Sequence, residues 1–203
     1  MFITLEGIDG CGKTTQSRYI QTHLDGLGKN VFCTREPGGT AVGSNIRSLV
    51  LGAGEMCDLT ELFLFMGDRA QHVVLIREKL KEGAIVVSDR FFDSTVAYQG
   101  YGRKMSIQTI DTLNRIAVRG LRPDLSIWID IPVMEATKRL DPEKRDRIEA
   151  STIEFMVSVR RGYAVIAKES PDRVKRVDGV GTEVEVRDRV LAVLVEFLGK
   201  AKL

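Results

Sequence analysis

The sequence predicts an α/β fold in which a five-stranded parallel sheet carries helices on both faces. Three observations predict it. Short apolar, β-branched segments recur along the chain, longer segments with apolar residues at helical spacing separate them, and a glycine-rich loop joins the first strand to the first helix. The predicted strands are 2–6, 30–34, 84–88, 125–131 and 174–177. The predicted helices are 13–27, 40–51, 58–82, 106–119, 133–140, 150–169 and 182–199.

The first three elements justify the assignment most directly. FITLE at 2–6 has the composition of a short buried strand, and apolar residues at helical spacing follow the loop as far as Leu27, where Gly28 stops the helix. Later strands end in polar turns: REPGGT follows the second strand, DRF the third and DG the fifth. Each turn has an ordinary explanation in turn chemistry. Together they predict a ligand site, because the carboxyl ends of parallel strands meet at one edge of the sheet.

Composition limits the kind of protein. With 203 residues, 29% charged residues and a net charge of +2, the chain is expected to be one domain that binds a small charged ligand, not nucleic acid or a membrane. Three cysteines without metal-ligand spacing are typical of a reduced, cytoplasmic protein. We see no apolar run near the roughly 18 residues that span a bilayer. One charged segment, within about 139–149, is expected to form a short lid.

The loop GIDGCGKT has the spacing of a P-loop, which binds the phosphates of a nucleoside triphosphate. Its glycines let backbone N–H groups turn toward the phosphates, its lysine reaches the β- and γ-phosphates, and its threonine can ligate Mg²⁺. The alternative is a glycine-rich turn without a ligand, which the strand-loop-helix context disfavours. The predicted ATP-binding residues are Gly7, Ile8, Asp9, Gly10, Cys11, Gly12, Lys13, Thr14 and Thr15.

Asp89, at the end of the third predicted strand, is the candidate partner of Thr14 in a Mg²⁺ site. An isolated aspartate at a strand end is more often a helix cap or turn residue, but the P-loop favours the metal role. Arg35 and Arg90 place two guanidinium groups at the same edge, where they suit bidentate phosphate recognition. A second phosphate site predicts phosphoryl transfer between two phosphorylated molecules. It therefore indicates a nucleotide kinase, and no N-K-x-D segment for guanine follows the fourth strand.

Six motifs, in order along nearly the whole chain, resemble those of the thymidylate kinase family. They are LEGIDGCGKTT, TREPGGT, LFLFMGDR, DRFFDSTVAYQG, RPDLSIWID and DRIE. The resemblance implies the P-loop nucleotide kinase fold, a homodimer, and transfer of the γ-phosphoryl group of ATP to dTMP with Mg²⁺, on the route to dTTP. Two alternatives are a related deoxynucleoside or nucleotide kinase with another base preference, and a nucleotide-binding regulatory protein without turnover. The second should have lost its lysine, metal-binding aspartate or arginines, and this chain has kept them.

The resemblance also implies roles for single residues at the acceptor site. Asp9 accepts a hydrogen bond from the deoxyribose 3′-OH, Arg35 and Arg90 clamp the dTMP phosphate, and Tyr98 crowds a ribose 2′-hydroxyl. Phe65 stacks on the thymine ring, although an aromatic residue at such a position taken alone is more often part of the core. The remaining predicted base contacts are Arg69 on a base carbonyl and Ser94, Thr95 and Gln99 along the pyrimidine edge.

The P-loop carries no arginine or lysine among Ile8, Asp9, Gly10 and Cys11, so the resemblance is to the family members that have basic lid residues. Arg145 and Arg147 are the predicted catalytic lid residues, with Arg139 and Lys144 nearby, although such a run is often a solvated face. Many members carry a basic residue near Ser158, whereas this chain has Arg160 and Arg161.

Four other side chains have simpler expected roles. Cys11 lies at a helix N-terminus beside the phosphates, an environment that lowers a thiol pKa, but the favoured interpretation is a small residue that simply fits. His23 and His72 are expected to be exposed or partly buried, and Trp128 is expected in the core of the sheet.

Overall fold

The structure is a computed structural model that describes residues 1–52, 54–141, 143, 146–148 and 151–200. Its five strands are β1 (Phe2–Glu6), β2 (Val31–Arg35), β3 (Ile85–Asp89), β4 (Leu125–Asp130) and β5 (Val174–Asp178). They form one parallel sheet in the order β2-β3-β1-β4-β5. The predicted fold class is therefore confirmed, and all five predicted strands lie within one residue of the observed bounds.

Helices connect successive strands, as parallel pairing requires. They are α1 (Lys13–Gly26), α2 (Ala41–Leu51), α3 (Asp58–Lys81), α4 (Phe92–Thr95), α5 (Ile107–Val118), α6 (Val133–Lys138), α7 (Ile153–Glu169) and α8 (Glu183–Lys200). Of the predicted helices, 133–140 ends two residues earlier and 150–169 begins at Ile153. Among the described residues, no helix combines the length and the apolar character needed to cross a bilayer.

A π-helical segment, Val96–Gly102, continues directly from α4 and was not predicted. Its glycines are needed for close packing: a Cβ at Gly100 would lie 2.5 Å from Ile107 Cδ1, and one at Gly102 would lie 2.6 Å from Phe155. Helical periodicity is interrupted in such a segment, so its pattern gave no signal. The segment carries two of the predicted site residues, Tyr98 and Gln99.

Strand β1 lies at the centre of the sheet and all five of its residues are buried. Parallel pairing sets the register that builds the site, because it places Asp89 opposite Leu5 on one side and opposite Arg35 on the other. Trp128 lies opposite Glu6 and is buried, which confirms its predicted place in the sheet core. The carboxyl ends of β1, β2 and β3 thus bring the P-loop, Arg35 and Asp89 to one edge.

Candidate active site

A cavity of about 600 Å³ lies at the carboxyl ends of these strands and collects most of the predicted site residues. Both the P-loop and the arginine-bearing strand ends open onto it. The predicted residues that line it are Asp9, Gly10, Cys11, Gly12, Lys13, Thr14, Thr15, Arg35, Phe65, Arg69, Asp89, Arg90, Ser94, Thr95, Tyr98 and Gln99. Gly7 and Ile8 lie behind the lining at the start of the loop.

The P-loop has the backbone conformation that its glycines were predicted to supply. Gly7, Gly10 and Gly12 all have positive φ, and a Cβ at Gly10 would lie 2.3 Å from the carbonyl oxygen of Ala136. Helix α1 begins at Lys13, so its N-terminal N–H groups face the cavity. Nζ of Lys13 donates to the loop carbonyls of Gly7 and Ile8 at 3.2 and 3.0 Å. The lysine is thus held inside the concave face of the loop.

The two predicted metal ligands lie side by side. Oγ1 of Thr14 donates a hydrogen bond of 2.7 Å to Oδ2 of Asp89. Among the described residues, no three His, Cys, Asp or Glu side chains group together as a metal site. A pair of one hydroxyl and one carboxylate fits Mg²⁺, which binds through one or two protein oxygens and completes its shell with water and phosphate oxygens.

Asp9, Arg90 and Tyr98 form a compact cluster on the other side of the P-loop. Nη2 of Arg90 donates to Oδ1 of Asp9 and, at 2.9 Å, to the Tyr98 hydroxyl, which donates to Oδ2 of Asp9 at 2.7 Å. Burial raises the pKa of Asp9, but the charges of Arg90 and Lys13 outweigh it and hold the pKa below its ordinary value. Burial raises the pKa of the Tyr98 hydroxyl. Asp9 is therefore an acceptor and Tyr98 a neutral donor at working pH.

Arg90 is also held from behind by the predicted site residues Gly7 and Ser94 and by Tyr163, which was not predicted. Its Nη1 donates to the carbonyl oxygen of Gly7 at 2.9 Å, to Oγ of Ser94 at 3.1 Å and to the Tyr163 hydroxyl at 3.2 Å. Burial opposes the charge of Arg90, but Asp9 and other neighbours raise its pKa well above the ordinary value. Arg90 is thus a permanently charged group with a fixed orientation.

Arg69 lies in the wall of the cavity and is 2% exposed. Its Nε donates to Oε2 of Glu36 at 2.9 Å, and its Nη1 donates to Oγ1 of Thr95 at 2.8 Å and to Oδ1 of Asn114 at 2.9 Å. Its Nη2 lies 2.8 Å from Oε2 of Glu36 and donates to the carbonyl oxygen of Phe91. A base carbonyl can therefore bind Arg69 only by replacing or sharing one of these bonds. Thr95 and Glu36 both line the cavity, and the neutral Thr95 is the partner that is easier to replace.

Glu61 is a buried carboxylate that was missed from the sequence. It accepts hydrogen bonds from Nε2 of Gln99 at 2.8 Å, from Arg103 and from Arg147. Burial raises its pKa, but the bonds from Arg103, Gln99 and Arg147 outweigh this and lower the pKa below its ordinary value. The bond to Glu61 fixes which end of the Gln99 amide faces the protein. Phe65, one helical turn along α3, is half-buried and lines the same cavity.

Arg47, on α2, is a cavity residue that the sequence analysis did not predict. Its Nη1 donates to the carbonyl oxygen of Pro37 at 3.0 Å, across the cis Glu36–Pro37 turn. Burial lowers the pKa of Arg47, and the like charge of Arg35 lowers it further. With Arg90, three guanidinium groups thus face one end of the cavity, and their mutual repulsion favours an anion between them.

The predicted lid residues are only partly brought together. Arg139 lines the cavity and donates to the carbonyl oxygens of Gly179 and Gly181. Arg147 does not line it, because its Nε donates to the carbonyl oxygen of Val50 and its Nη2 to Glu61. Arg145 and Lys144 lie outside the described residues.

Arg160 does not stand in for a basic residue at Ser158 on the cavity side. It makes a bidentate ion pair with Asp130 at 2.6 and 3.2 Å and lines a separate, second cavity, as does Arg161.

Cys11 is buried, and this burial raises its thiol pKa, with the charges of Lys13 and Arg90 too weak to reverse the effect. This agrees with the favoured interpretation, a small residue that fits, and not with a lowered thiol pKa. One expectation about a histidine was wrong. His72 is completely buried, with Nδ1 at 2.9 Å from Oε1 of Glu36 and Nε2 at 2.7 Å from Oγ1 of Thr34. Its partners are far away in sequence, so helical position alone did not reveal them. His23 is partly buried, as predicted.

A triphosphate-binding loop that shares one cavity with a second, arginine-lined anion site defines a P-loop nucleotide kinase. The sequence model of the thymidylate kinase family matches residues 5–190, and the chain belongs to this family. It is an enzyme that phosphorylates dTMP.

Relatives that cover most of the chain agree with this assignment. The chain is 44% identical over 199 residues to a thymidylate kinase of Nostoc sp., with 95% of this chain and 94% of that one covered. It is 50% identical over 177 residues to a thymidylate kinase of Prochlorococcus marinus, with 83% and 82% covered. The crystal structure of thymidylate kinase from Ehrlichia chaffeensis superposes with a TM-score of 0.78 at 38% identity, covering 96% of this chain and 98% of that one.

Proposed function

We propose that this enzyme transfers the γ-phosphoryl group of ATP in line to the 5′-phosphate of dTMP, with Mg²⁺ held by Thr14 and Asp89. The observation that carries the proposal is the pair of anion sites in one cavity, with the P-loop on one side and Arg35, Arg47 and Arg90 on the other. Phosphoryl transfer needs little covalent chemistry from the protein. It needs two charged substrates held in line and their charge neutralised.

On the donor side, the N–H groups of the P-loop and the N-terminus of α1 bind the phosphates of ATP, and Lys13 neutralises the β- and γ-phosphates. When bound, Mg²⁺ supplies charge neutralisation at the phosphate oxygens. The adenine lies against the loop that includes Gly181, Thr182 and Glu183, which lines the cavity together with Arg139.

On the acceptor side, Arg35 and Arg90 clamp the dTMP phosphate, and Asp9 accepts the hydrogen bond of the 3′-hydroxyl. The Tyr98 ring excludes a 2′-hydroxyl. Phe65 stacks on the thymine, and Ser94, Thr95, Gln99 and Arg69 complete the wall around the base. These roles are supported by the position of every one of these residues in the cavity lining.

We further infer that the chain acts as a single kinase domain with a lid at about 139–149, whose basic residues Arg145 and Arg147 close over the transferring group. For Arg147, closure requires release from Glu61 and from the Val50 carbonyl oxygen. Breaking these hydrogen bonds costs free energy, which the binding of the substrates offsets. Closure of Arg147 therefore depends on the presence of the substrates. The three free cysteines support a cytoplasmic location.

We also propose a homodimer that forms through the outer face of α3. Leu59, Phe63 and Val74 on this helix are 50%, 55% and 54% exposed, and helical spacing places all three on one face. Exposed apolar side chains in such a group mark interaction surfaces. Sedimentation equilibrium should give twice the mass of 22.6 kDa for the wild type and the single mass for Phe63→Asp.

The reaction is tested by a coupled ADP-release assay with ATP and Mg²⁺, offering dTMP, dUMP, dCMP, dGMP and thymidine at equal concentration. Robust turnover of dTMP, weak turnover of dUMP and negligible turnover of thymidine are expected, since one methyl group selects by only about 10–200-fold. Turnover of a different monophosphate would remove the assignment of Phe65 and Arg69 to thymine.

A further inference from the structure

Glu6, the last residue of β1, is a buried carboxyl group that the proposed reaction does not use. It is 1% exposed. Its Oε1 accepts the backbone N–H of Phe91 at 2.8 Å, and its Oε2 accepts the Ser94 hydroxyl at 2.7 Å. Both partners follow Arg90 in sequence, so Glu6 fixes the chain on the C-terminal side of this arginine.

Tyr163, on α7, completes a ring of hydrogen bonds behind Arg90. Its hydroxyl lies 3.2 Å from Oε2 of Glu6 and 2.8 Å from Oγ of Ser94. Nη1 of Arg90 donates to both Ser94 and Tyr163. The Tyr163 ring is itself fixed, because it stacks on Trp128 at 6.3 Å between ring centroids.

The backbone at Arg90 needs such support. Its φ is 74°, in the left-handed region that residues with a side chain rarely adopt. The conformation is held on both sides, since the Arg90 N–H donates to the carbonyl oxygen of Leu5 and the Phe91 N–H donates to Glu6. The direction of the Arg90 side chain therefore depends on β1 and α7.

The hydrogen bonds of Arg90 leave the Nε–H of its guanidinium for a ligand. Nη1 donates to Gly7, Ser94 and Tyr163, and Nη2 donates to Asp9 and Tyr98. The Nε–H takes part in none of the hydrogen bonds found among the described residues. A phosphate oxygen can approach at that N–H without displacing the groups that hold Nη1.

We propose that Glu6, Ser94 and Tyr163 are positioning residues that hold the Arg90 guanidinium in the orientation that binds the phosphate of the acceptor nucleotide. This inference rests on the proposed function, in which Arg90 contacts that phosphate. The inference also assigns Ser94 to positioning and not to recognition of the base, because its hydroxyl is hydrogen-bonded to Glu6 and Arg90. None of the three residues touches the reacting atoms; each acts through Arg90.

The test compares the dissociation constants of dTMP and thymidine, measured by calorimetry, since the two ligands differ only in the phosphate. Tyr163→Phe should weaken dTMP binding about fivefold to tenfold, the effect of one lost hydrogen bond. Thymidine binding should change less than about twofold. Tyr101→Phe is the matched control, because Tyr101 lies on the neighbouring segment and its hydroxyl is not part of the ring. In turnover, Tyr163→Phe should raise KM for dTMP and leave KM for ATP unchanged.

Two further variants separate the positioning role from other roles. Glu6→Leu, which removes both carboxyl oxygens, should follow the pattern of Tyr163→Phe once thermal melting shows that it folds. Ser94→Ala should weaken dTMP more than thymidine if Ser94 acts on Arg90, whereas equal losses for both ligands would show base reading and overturn the inference for Ser94. Tyr163→Phe removes one oxygen from a stacked ring, and thermal melting checks that it folds. If this folded variant binds dTMP as tightly as the wild type, the inference is wrong.

Arg90→Ala distinguishes this failure from a failure of the proposed function. It should lower the preference for dTMP over thymidine by about tenfold or more, with Arg35 and Arg47 retaining the rest. If it does so while Tyr163→Phe and Glu6→Leu have no effect, the phosphate contact of Arg90 stands and the positioning role is wrong. If Arg90→Ala itself leaves the preference unchanged, the assignment of Arg90 to the phosphate is wrong.

Discussion

The Thr14 hydroxyl donates a 2.7 Å hydrogen bond to Oδ2 of Asp89, and this bond joins the start of α1 to the end of β3. The two residues are 75 positions apart, and the pairing of β1 with β3 brings them together. A hydroxyl and a carboxylate at this distance present two hard oxygen ligands toward the phosphate side of the cavity. The relationship is therefore the basis for the predicted dependence on Mg²⁺.

Asp89→Asn should raise the free Mg²⁺ concentration that gives half-maximal turnover by about 10–100-fold, because one charged oxygen is lost from the site. Thr14→Val should do the same by removing the hydroxyl, whereas the conservative Thr14→Ser should stay close to the wild type. The measurement is ADP release titrated with Mg²⁺ at saturating ATP and dTMP. An unchanged Mg²⁺ midpoint in Asp89→Asn would contradict the metal assignment.

Arg47→Ala should raise KM for dTMP by about tenfold or more and leave KM for ATP nearly unchanged. A hydrogen bond to a charged group contributes roughly 1.5–3 kcal/mol, and Arg47 lies among the arginines that face the acceptor end of the cavity. Arg115→Ala, at an exposed arginine of α5, is the control for loss of a positive charge elsewhere. If both variants have the same KM for dTMP, Arg47 makes no contact with the acceptor.

Much of the site was predictable because its residues lie at strand ends and in spaced motifs. The P-loop, Asp89 and Arg35 follow from the order of strands, which apolar periodicity reveals. Arg47 was missed because its sequence context is that of an ordinary arginine on the exposed face of a helix. Only the fold shows that α2 places its side chain in the cavity wall.

Glu6 and Tyr163 were missed for a different reason. Their contact spans 157 residues, and each lies in an element whose pattern indicates only a core strand or an amphipathic helix. His72 likewise depends on partners in β2 and the following turn. Buried polar networks are assembled by tertiary topology, so periodicity cannot identify their members. The π-helical segment was not predicted because its period differs from that of the α-helix.

Tyr98→Ala should lower the preference for dTMP over ribothymidine 5′-monophosphate by about tenfold, because the ring is proposed to exclude a 2′-hydroxyl. Tyr98→Phe keeps the ring and loses only the bonds of the hydroxyl to Asp9 and Arg90, so it should retain the preference. The ratio of kcat/KM for the two substrates is the measurement. An unchanged ratio in Tyr98→Ala would show that the ring does not select the sugar.

The pH dependence of stability should report Glu6 directly. Burial raises the pKa of Glu6 from 4.5 to about 8, with the charge of Asp93 adding to the effect and Ser94 and Arg90 opposing it. The folded protein therefore holds a proton on Glu6 that the unfolded chain has released, and the free energy of unfolding falls as pH rises from about 4.5 to about 8. Its contribution to the slope is at most about 1.4 kcal/mol per pH unit.

Urea unfolding at pH 6, 7 and 8 tests this prediction above most of the range in which Asp68, the other described carboxyl group with a raised pKa, releases its proton. Burial and the charge of Glu36 raise the pKa of Asp68 to about 6, so its contribution falls mainly at lower pH. Glu6→Gln cannot titrate, so its free energy of unfolding should fall less steeply than that of the wild type between pH 6 and 8. Glu135→Gln, at an exposed carboxylate whose pKa is lowered by Lys138, should keep the wild-type slope. Parallel profiles for the wild type and Glu6→Gln would show that Glu6 is already ionised in the folded protein at pH 6.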